Sequence, residues 1–209
     1  MKSLKMGLIG MIFIFIVCPT TFTASEPTMS AEERAKAIKL LKDSEEETLA
    51  ALEKLSDEQL KFKAAPDKWS ILDICEHILL AEGLIFGAVD RAIATQPNPE
   101  WETKTKGKTE FVEKAVVNRT VKVKAPEEIV PLGKLSRAEI IAKYKEARGK
   151  TLKFTEETQL PLKSHTLEHP FPVFGTLNAY QWLIYVPLHN MRHNLQIAEV
   201  KSDPNFPKK

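Results

Sequence analysis

Cysteine is scarce in this sequence, which has only Cys18 and Cys75 among 209 residues. We expect Cys18 to leave with a cleaved N-terminal segment, so no intramolecular disulfide can stabilise the mature chain. The fold must then depend on its hydrophobic core, and 43% hydrophobic residues in a chain of this length suffice for one domain. We interpret Cys75 as a small buried apolar side chain, because Ile71 and Ile74 lie four residues and one residue before it.

Neither sign of charge dominates. The 30 basic and 28 acidic side chains leave a formal net charge of +2, so no overall field attracts nucleic acid or an anionic membrane. Lysines are locally frequent between residues 104 and 124. They lack the interleaved aromatic residues of a nucleic-acid surface. We interpret them as a solvated face, with attraction of an anionic ligand as the alternative.

No apolar run is long enough to span a bilayer comfortably, since a membrane helix needs about 20 residues. The N-terminus instead resembles a secretory signal: Lys2 and Lys5 precede "MGLIGMIFIFIV", and small residues follow in "TFTASEP". We predict a signal peptide over residues 1–25 and a mature domain over 26–209, exported to the periplasm or secreted. A retained membrane anchor is the alternative.

Credible strands are also few, whereas four long segments have helical periodicity. They cover residues 31–55, 70–94, 136–157 and 176–200. Each begins with a residue suited to helix capping, namely Ser30, Ser70, Ser136 and Thr176. This pattern predicts an all-α protein, an antiparallel four-helix bundle.

Residues 95–135 fit no helical period and predict a long crossover loop between the second and third long helices. Within it, "AVVNRTVKV" has β-branched alternation that favours a short strand. A loop of this length inside a compact domain is typical of functional or partly mobile segments.

Three histidines form the strongest candidate site. His189 and His193 are one helical turn apart and project from one face, so two imidazoles can share one ion. His77 lies in the otherwise apolar second helix, where a buried imidazole needs a hydrogen-bond partner or a metal. Facing helices of a bundle would supply three nitrogens and leave the remaining positions to water or substrate, as at a catalytic metal site. The alternative is that these histidines only pack the bundle.

Other polar residues have more than one interpretation. Glu82 lies on the apolar second helix, where it must pair or act as a base, and Arg148 is its expected partner. We keep Glu82 as a tentative catalytic residue. His169 either fixes a turn or bonds across the mouth of the site. Arg192 and Gln196 lie close to the histidine face, and we expect them to support the ligands rather than bind the ion.

Four stretches resemble the DinB-like (DinB/YfiT-type) superfamily of metalloproteins, and together they span nearly the whole mature chain. They are "DKWSILDICEHILLAEG", "APEEIVPLG", "HPFPVFGTLNAYQWL" and "LHNMRHNLQIAEVKSDPNFP". The family pattern is a Trp-Ser before the second helix, a histidine about seven residues later, and an H-x3-H with an arginine before its second histidine and a glutamine three residues after it. Those positions are filled here by Trp69, Ser70, His77, His189, Arg192, His193 and Gln196.

The resemblance implies a four-helix bundle with a divalent metal ion, zinc or nickel, at His77, His189 and His193, and imidazole ligation suits either ion. It also implies an enzyme of the hydrolase or thiol/S-transferase type that acts on a small molecule. Export argues against transfer from a cytosolic thiol. The alternative is a non-catalytic periplasmic bundle that binds a metal or ligand. We expect no nucleic-acid partner, no membrane association after signal cleavage, and a possible homodimer through an exposed apolar helix face.

Overall fold

The computed structural model describes residues 27–208, so the predicted signal peptide lies outside the described residues. The helices are α1 (Ala31–Lys54), α2 (Asp57–Lys61), α3 (Ile71–Ile93), α4 (Trp101–Thr105), α5 (Lys108–Val117), α6 (Arg137–Glu157) and α7 (Ala179–Lys201), with a 3-10 turn at Glu127–Ile129. A two-stranded antiparallel sheet of β1 (Thr166–Glu168) and β2 (Thr176–Asn178) lies between α6 and α7. The predicted all-α bundle is confirmed, and its long helices are α1, α3, α6 and α7. Among the described residues, no helix has the length and apolarity needed to cross a membrane.

Helix α1 runs antiparallel to α6, because Arg34 near its start donates to the Thr155 carbonyl while Glu53 near its end pairs with Lys145. Helix α3 packs against both α6 and α7. Helices α1 and α3, which are consecutive among the four long helices, make only a minor contact, so they occupy a diagonal of the bundle. The histidine pair of α7 therefore faces α3, which carries His77.

The starts of three long helices agree with the sequence prediction. Ser30, Ser70 and Ser136 each accept a hydrogen bond from the third helical backbone N–H, and the acid at that position bonds back to the cap's own N–H. These reciprocal bonds satisfy backbone donors that have no partner inside the helix. Helix bounds set this way are readable from sequence because the bonds are local.

The predicted cap of the last helix is wrong. Thr176 lies in strand β2, and Asn178 caps α7 in a reciprocal arrangement with Gln181. Pairing with β1 holds Thr176 extended, opposite Glu168, which accepts from its hydroxyl at 2.5 Å. The N-cap of α7 therefore lies two residues after the predicted one.

We expect Asn178→Ala to lower the free energy of unfolding by about 0.5–2 kcal/mol, because the first turn of α7 loses a capping oxygen. Thr176→Ala is the matched control and should cost less than about 0.5 kcal/mol, since its hydroxyl bonds only to an exposed carboxylate. Urea unfolding followed by circular dichroism measures both. Equal costs for the two variants would contradict this assignment of the cap.

The crossover segment differs from its prediction as a helix-free loop. It contains α4, α5 and the 3-10 turn, and the predicted strand does not form, because Ala115–Val117 complete α5. Val112 and Val116, one turn apart, are both buried as α5 packs against α7. Gly107 precedes α5 with φ 71°, a left-handed conformation that glycine adopts without strain. Tertiary burial of two valines thus stabilises a helix of only 10 residues.

Candidate metal centre

The structure brings together the three histidines that the sequence analysis singled out. His77 from α3 and His193 from α7 are buried, and His189 is half-buried. One ring nitrogen from each lies within 4.8 Å of the others, and the Nε2 atoms of His77 and His193 are 3.1 Å apart. Two facing helices thus aim three imidazoles at one point.

A backbone carbonyl fixes the tautomer of His77. Its Nδ1 lies 2.7 Å from the carbonyl oxygen of Ile129. Because a carbonyl oxygen can only accept, Nδ1 carries the hydrogen and donates it. The neutral ring then directs the lone pair of Nε2 at the cluster.

A glutamine fixes the tautomer of His193. The Nδ1 atom of His193 lies 2.9 Å from Oε1 of Gln196, and the same oxygen accepts from Nη1 of Arg119 at 3.1 Å. Arginine only donates, so the atom that both groups share is the amide oxygen. His193 therefore donates through Nδ1, and its Nε2 also presents a lone pair to the cluster.

Two lone pairs at 3.1 Å repel each other unless a proton or a metal cation lies between them. Protonation is disfavoured near neutral pH. Burial, reinforced by nearby His77, lowers the pKa of His193 to about 3. Burial and the neighbouring histidines lower the pKa of His189 well below its ordinary value. Burial also lowers the pKa of His77, against the opposing effect of its bond to Ile129.

The donor set fits a divalent metal ion. Tetrahedral zinc with nitrogens at about 2.0–2.1 Å places neighbouring ligand atoms roughly 3.3 Å apart, close to the 3.1 Å between His77 and His193. Neutral imidazoles whose outer N–H groups bond to oxygens are the usual ligands of such ions. Three protein nitrogens leave a tetrahedral ion one open position.

We expect Gln196→Leu to weaken zinc or nickel binding about 10- to 100-fold, because His193 loses the acceptor that orients its ring. Isothermal titration of the metal-free protein with each ion measures the change. Gln196→Glu is the matched control, since it keeps an oxygen acceptor for His193 and Arg119. Equal affinities of the leucine variant and the wild type would show that the glutamine does not orient the ligand.

The crossover segment forms the outer wall of the site. Arg192 donates to the backbone carbonyls of Val116, Asn118 and Val121, the last at 2.6 Å. Arg119 on that segment forms a two-pronged ion pair with Glu199 of α7. Arg192 therefore holds the crossover segment in place and makes no hydrogen bond to the three histidines among the described residues.

Glu76, next to His77, ties down the following part of the crossover segment. Its two carboxylate oxygens accept from the backbone N–H groups of Leu132 and Gly133, at 3.2 and 2.9 Å. This contact and the bond from His77 to Ile129 hold residues 129–133 of the segment against α3.

A cavity of about 920 Å³ opens onto the three histidines. Away from them its wall is largely aromatic, formed by Phe111, His169, Phe171, Phe174, Trp182 and Tyr185. Such a volume and apolar lining are typical of small-molecule sites. Trp69, which fills the Trp-Ser position of the family pattern, also lines the cavity, with its ring 4.8 Å from that of His77.

Glu82 forms the ion pair predicted for it and does not line the cavity. Its carboxylate accepts from Nε and Nη2 of Arg148 at 2.9 and 2.7 Å and from the hydroxyl of Thr151 at 2.8 Å. Both side chains are almost fully buried. The geometry favours the ion pair over the role of catalytic base for Glu82.

Of the remaining histidines, His165 bonds through Nδ1 to the Thr95 carbonyl at 2.8 Å and lies outside the cavity lining. His169 fixes a turn, as one interpretation predicted, because its Nδ1 accepts from the Phe171 N–H at 2.9 Å. Tyr185 and the Ile129 carbonyl belong to the site but are not among the residues predicted for it. Tyr185 lies one helical turn before His189, and this spacing indicates that it shares the histidine face of α7. The Ile129 carbonyl is a backbone group, so no feature of the sequence indicates its role.

A helical bundle with three convergent imidazoles at the end of an open cavity defines a class of candidate metalloproteins. The chain belongs to the DinB superfamily, whose family model matches residues 40–197. It is 26% identical to the uncharacterized protein YuaE of Bacillus subtilis (strain 168) over 157 residues, 74% of this chain and 91% of that protein.

Its fold is similar to that of YfiT from Bacillus subtilis, described as a probable metal-dependent hydrolase with an unusual four-helix bundle topology. The TM-score is 0.57 at 15% identity, over 86% of this chain and 91% of YfiT. At this identity the likeness establishes the fold alone.

Proposed function

We propose that the protein is a metal-dependent hydrolase of a small molecule, with a divalent ion held by His77, His189 and His193. The observation that carries this proposal is the pair of lone-pair nitrogens 3.1 Å apart, with both tautomers set by outer acceptors. A cation between these two nitrogens would offset the repulsion between their lone pairs. The description of YfiT as a probable metal-dependent hydrolase supports the same reaction class.

The ion, when bound, would supply a Lewis acid that lowers the pKa of water or polarises a substrate carbonyl. The chain's own contribution is to hold three neutral imidazoles on one side, through Ile129 and Gln196 for two of them. The crossover segment, fixed by Arg192 and Glu76, lines the cavity beside the histidines. The aromatic wall would bind the substrate beside the histidines.

The test is turnover by the zinc- and nickel-loaded protein on a panel of aryl esters, amides and lactones, with and without added glutathione. Turnover without thiol, lost in His193→Ala, is the expected result. Turnover only with glutathione would contradict hydrolysis and favour the S-transferase alternative. A metal-loaded protein with no turnover on any substrate would favour the binding-protein alternative.

We also propose that residues 1–25 direct export, based on the charge and apolar pattern of the sequence. Expression of the full chain in a bacterial host should yield a periplasmic product that begins near Ser25 or Glu26, as read by N-terminal sequencing. Replacing Ile12 and Ile14 by aspartate should retain the uncleaved chain in the cytoplasm, because charges interrupt the apolar run. An uncleaved wild-type chain in the membrane fraction would instead indicate a retained anchor.

A further inference from the structure

Besides the enclosed Nε1 of Trp182, two polar groups in the aromatic part of the cavity have no protein partner within residues 27–208. The first is the hydroxyl of Tyr185, whose side chain is 8% exposed and makes no hydrogen bond among the described residues. Its oxygen is not one of the fully enclosed unpaired atoms. Because this oxygen stays accessible on a side chain that lines the cavity, it faces the cavity.

The second group is Nε2 of His169. This residue is also 8% exposed, and it lines the cavity. The Phe171 N–H donates to Nδ1, so Nδ1 has no hydrogen and the neutral ring carries it on Nε2. Burial lowers the pKa of His169 to about 4, which keeps the ring neutral at physiological pH. His169 therefore presents a fixed N–H donor to the cavity, and its ring is stacked on Trp182 with centroids 4.7 Å apart.

The two donors are neighbours in the aromatic wall, and Tyr185 lies next to the histidine cluster. The ring centroids of His169 and Tyr185 are 5.3 Å apart, and Tyr185 stacks on His189 at 6.4 Å. A ligand that contacts both rings therefore also lies next to His189.

Besides that of His189, the rings that contact this pair are those of Phe171, Phe174 and Trp182. Eight large apolar side chains of the described residues are exposed, and five of them line this one cavity: Leu84, Phe111, Val121, Val123 and Val173. Exposed apolar side chains clustered in this way mark a binding surface. The occupant that suits it has an apolar body and few polar atoms.

We propose that Tyr185 and His169 form a substrate-binding pair that donates hydrogen bonds to a carbonyl oxygen of an aryl or alkyl carbonyl compound. The proposal rests on the proposed function, because it places that carbonyl next to the histidine cluster. It adds the substrate class: an ester, amide or lactone with an apolar group large enough to fill the aromatic end. A small set of directed donors in an apolar pocket fixes ligand orientation.

The probe is 6-propionyl-2-dimethylaminonaphthalene, an apolar aromatic ketone whose emission moves to longer wavelength when its carbonyl accepts a hydrogen bond. Its counterpart without an acceptor is 2-dimethylaminonaphthalene. We expect Tyr185→Phe and His169→Asn each to weaken binding of the ketone about five- to tenfold, the effect of one lost hydrogen bond. The bound emission should move to shorter wavelength in both variants, and binding of the counterpart should not change.

The variants keep the structural contacts of the residues they replace. Phenylalanine keeps the ring of Tyr185, and asparagine keeps an acceptor for the Phe171 N–H but does not reach the position of Nε2. The matched control is Tyr180→Phe, also on α7 and buried, which does not line the cavity and should bind the ketone as the wild type does.

Unchanged binding of the ketone in Tyr185→Phe and His169→Asn would overturn the proposal, as would equal losses for both probes or no binding by the wild type. Repeating the titrations in His193→Ala separates this question from the proposed function. Persistence of the Tyr185 and His169 effects in that variant would support the pair whatever the metal content. Their disappearance there, with the protein still folded, would count against a pair that binds the carbonyl directly.

Discussion

His193→Ala is expected to abolish stoichiometric metal binding, whereas the wild type should retain about one zinc or nickel ion per chain. The variant removes one of three nitrogens and leaves His77 without the neighbour 3.1 Å from it. Loss of a ligand should exceed the roughly 10- to 100-fold weakening that loss of an outer partner causes. Elemental analysis of protein purified without chelator or histidine tag measures the metal content.

The same variant should lose stabilisation by the ion. A ligand at a concentration of about 1,000 times its dissociation constant stabilises the folded state by about 4 kcal/mol, so added metal should raise the melting temperature of the wild type but not of His193→Ala. His165→Ala is the matched control, because His165 lies outside the cluster. A full equivalent of metal in His193→Ala, or none in the wild type after reloading, would contradict the site.

Arg148→Ala should lower the free energy of unfolding by about 3–5 kcal/mol, because it leaves the Glu82 carboxylate buried without its cation. The guanidinium also donates to the Leu41 carbonyl, the Ser44 hydroxyl and the amide oxygen of Asn190. One side chain thus joins α1, α3 and α7 to α6. Urea unfolding midpoints, compared at a common slope, measure the loss.

Two further variants isolate the cause of that loss. Lys145→Ala, on the same helix, breaks the exposed pair with Glu53 and should cost less than about 1 kcal/mol. Replacing both members of the buried pair, in Arg148→Met with Glu82→Leu, should recover much of the stability, since no charge is then left unpaired. A double variant as unstable as Arg148→Ala would show that the other bonds of the guanidinium dominate.

This buried network also bears on the metal centre. Asn190, which directly follows His189, accepts from Arg148 at 2.9 Å and from the Tyr144 hydroxyl at 2.5 Å and donates to Thr48 at 2.8 Å. These bonds hold a face of α7 next to the one that lines the cavity, and rotation of the helix about its axis would break them. We infer that the network fixes the direction in which His189 points.

The sequence predicted the bundle because its determinants are local. Ser30, Ser70 and Ser136 indicate where helices begin, because each forms capping hydrogen bonds with the residue three positions later. Apolar periodicity indicates the buried faces of the helices. The same logic failed at Thr176, where pairing with a strand eight residues earlier overrode a capping residue. It failed again in the crossover segment, where α5 depends on packing against α7.

The candidate site also has features that the sequence predicts and features that only the tertiary structure fixes. His189 and His193 are four residues apart, which places both on one face of a helix. His77 is a polar residue in an otherwise apolar helix. The sequence alone therefore identified these three imidazoles as candidate metal ligands. The tertiary structure decided which nitrogen of His77 and His193 faces the cluster, that Glu82 pairs with Arg148, and that Tyr185 and His169 face one cavity. These facts depend on bonds between residues far apart in the chain, such as the one from His77 to the Ile129 carbonyl. Every residue has a backbone carbonyl, so the residue type at position 129 does not indicate that this one accepts a hydrogen bond.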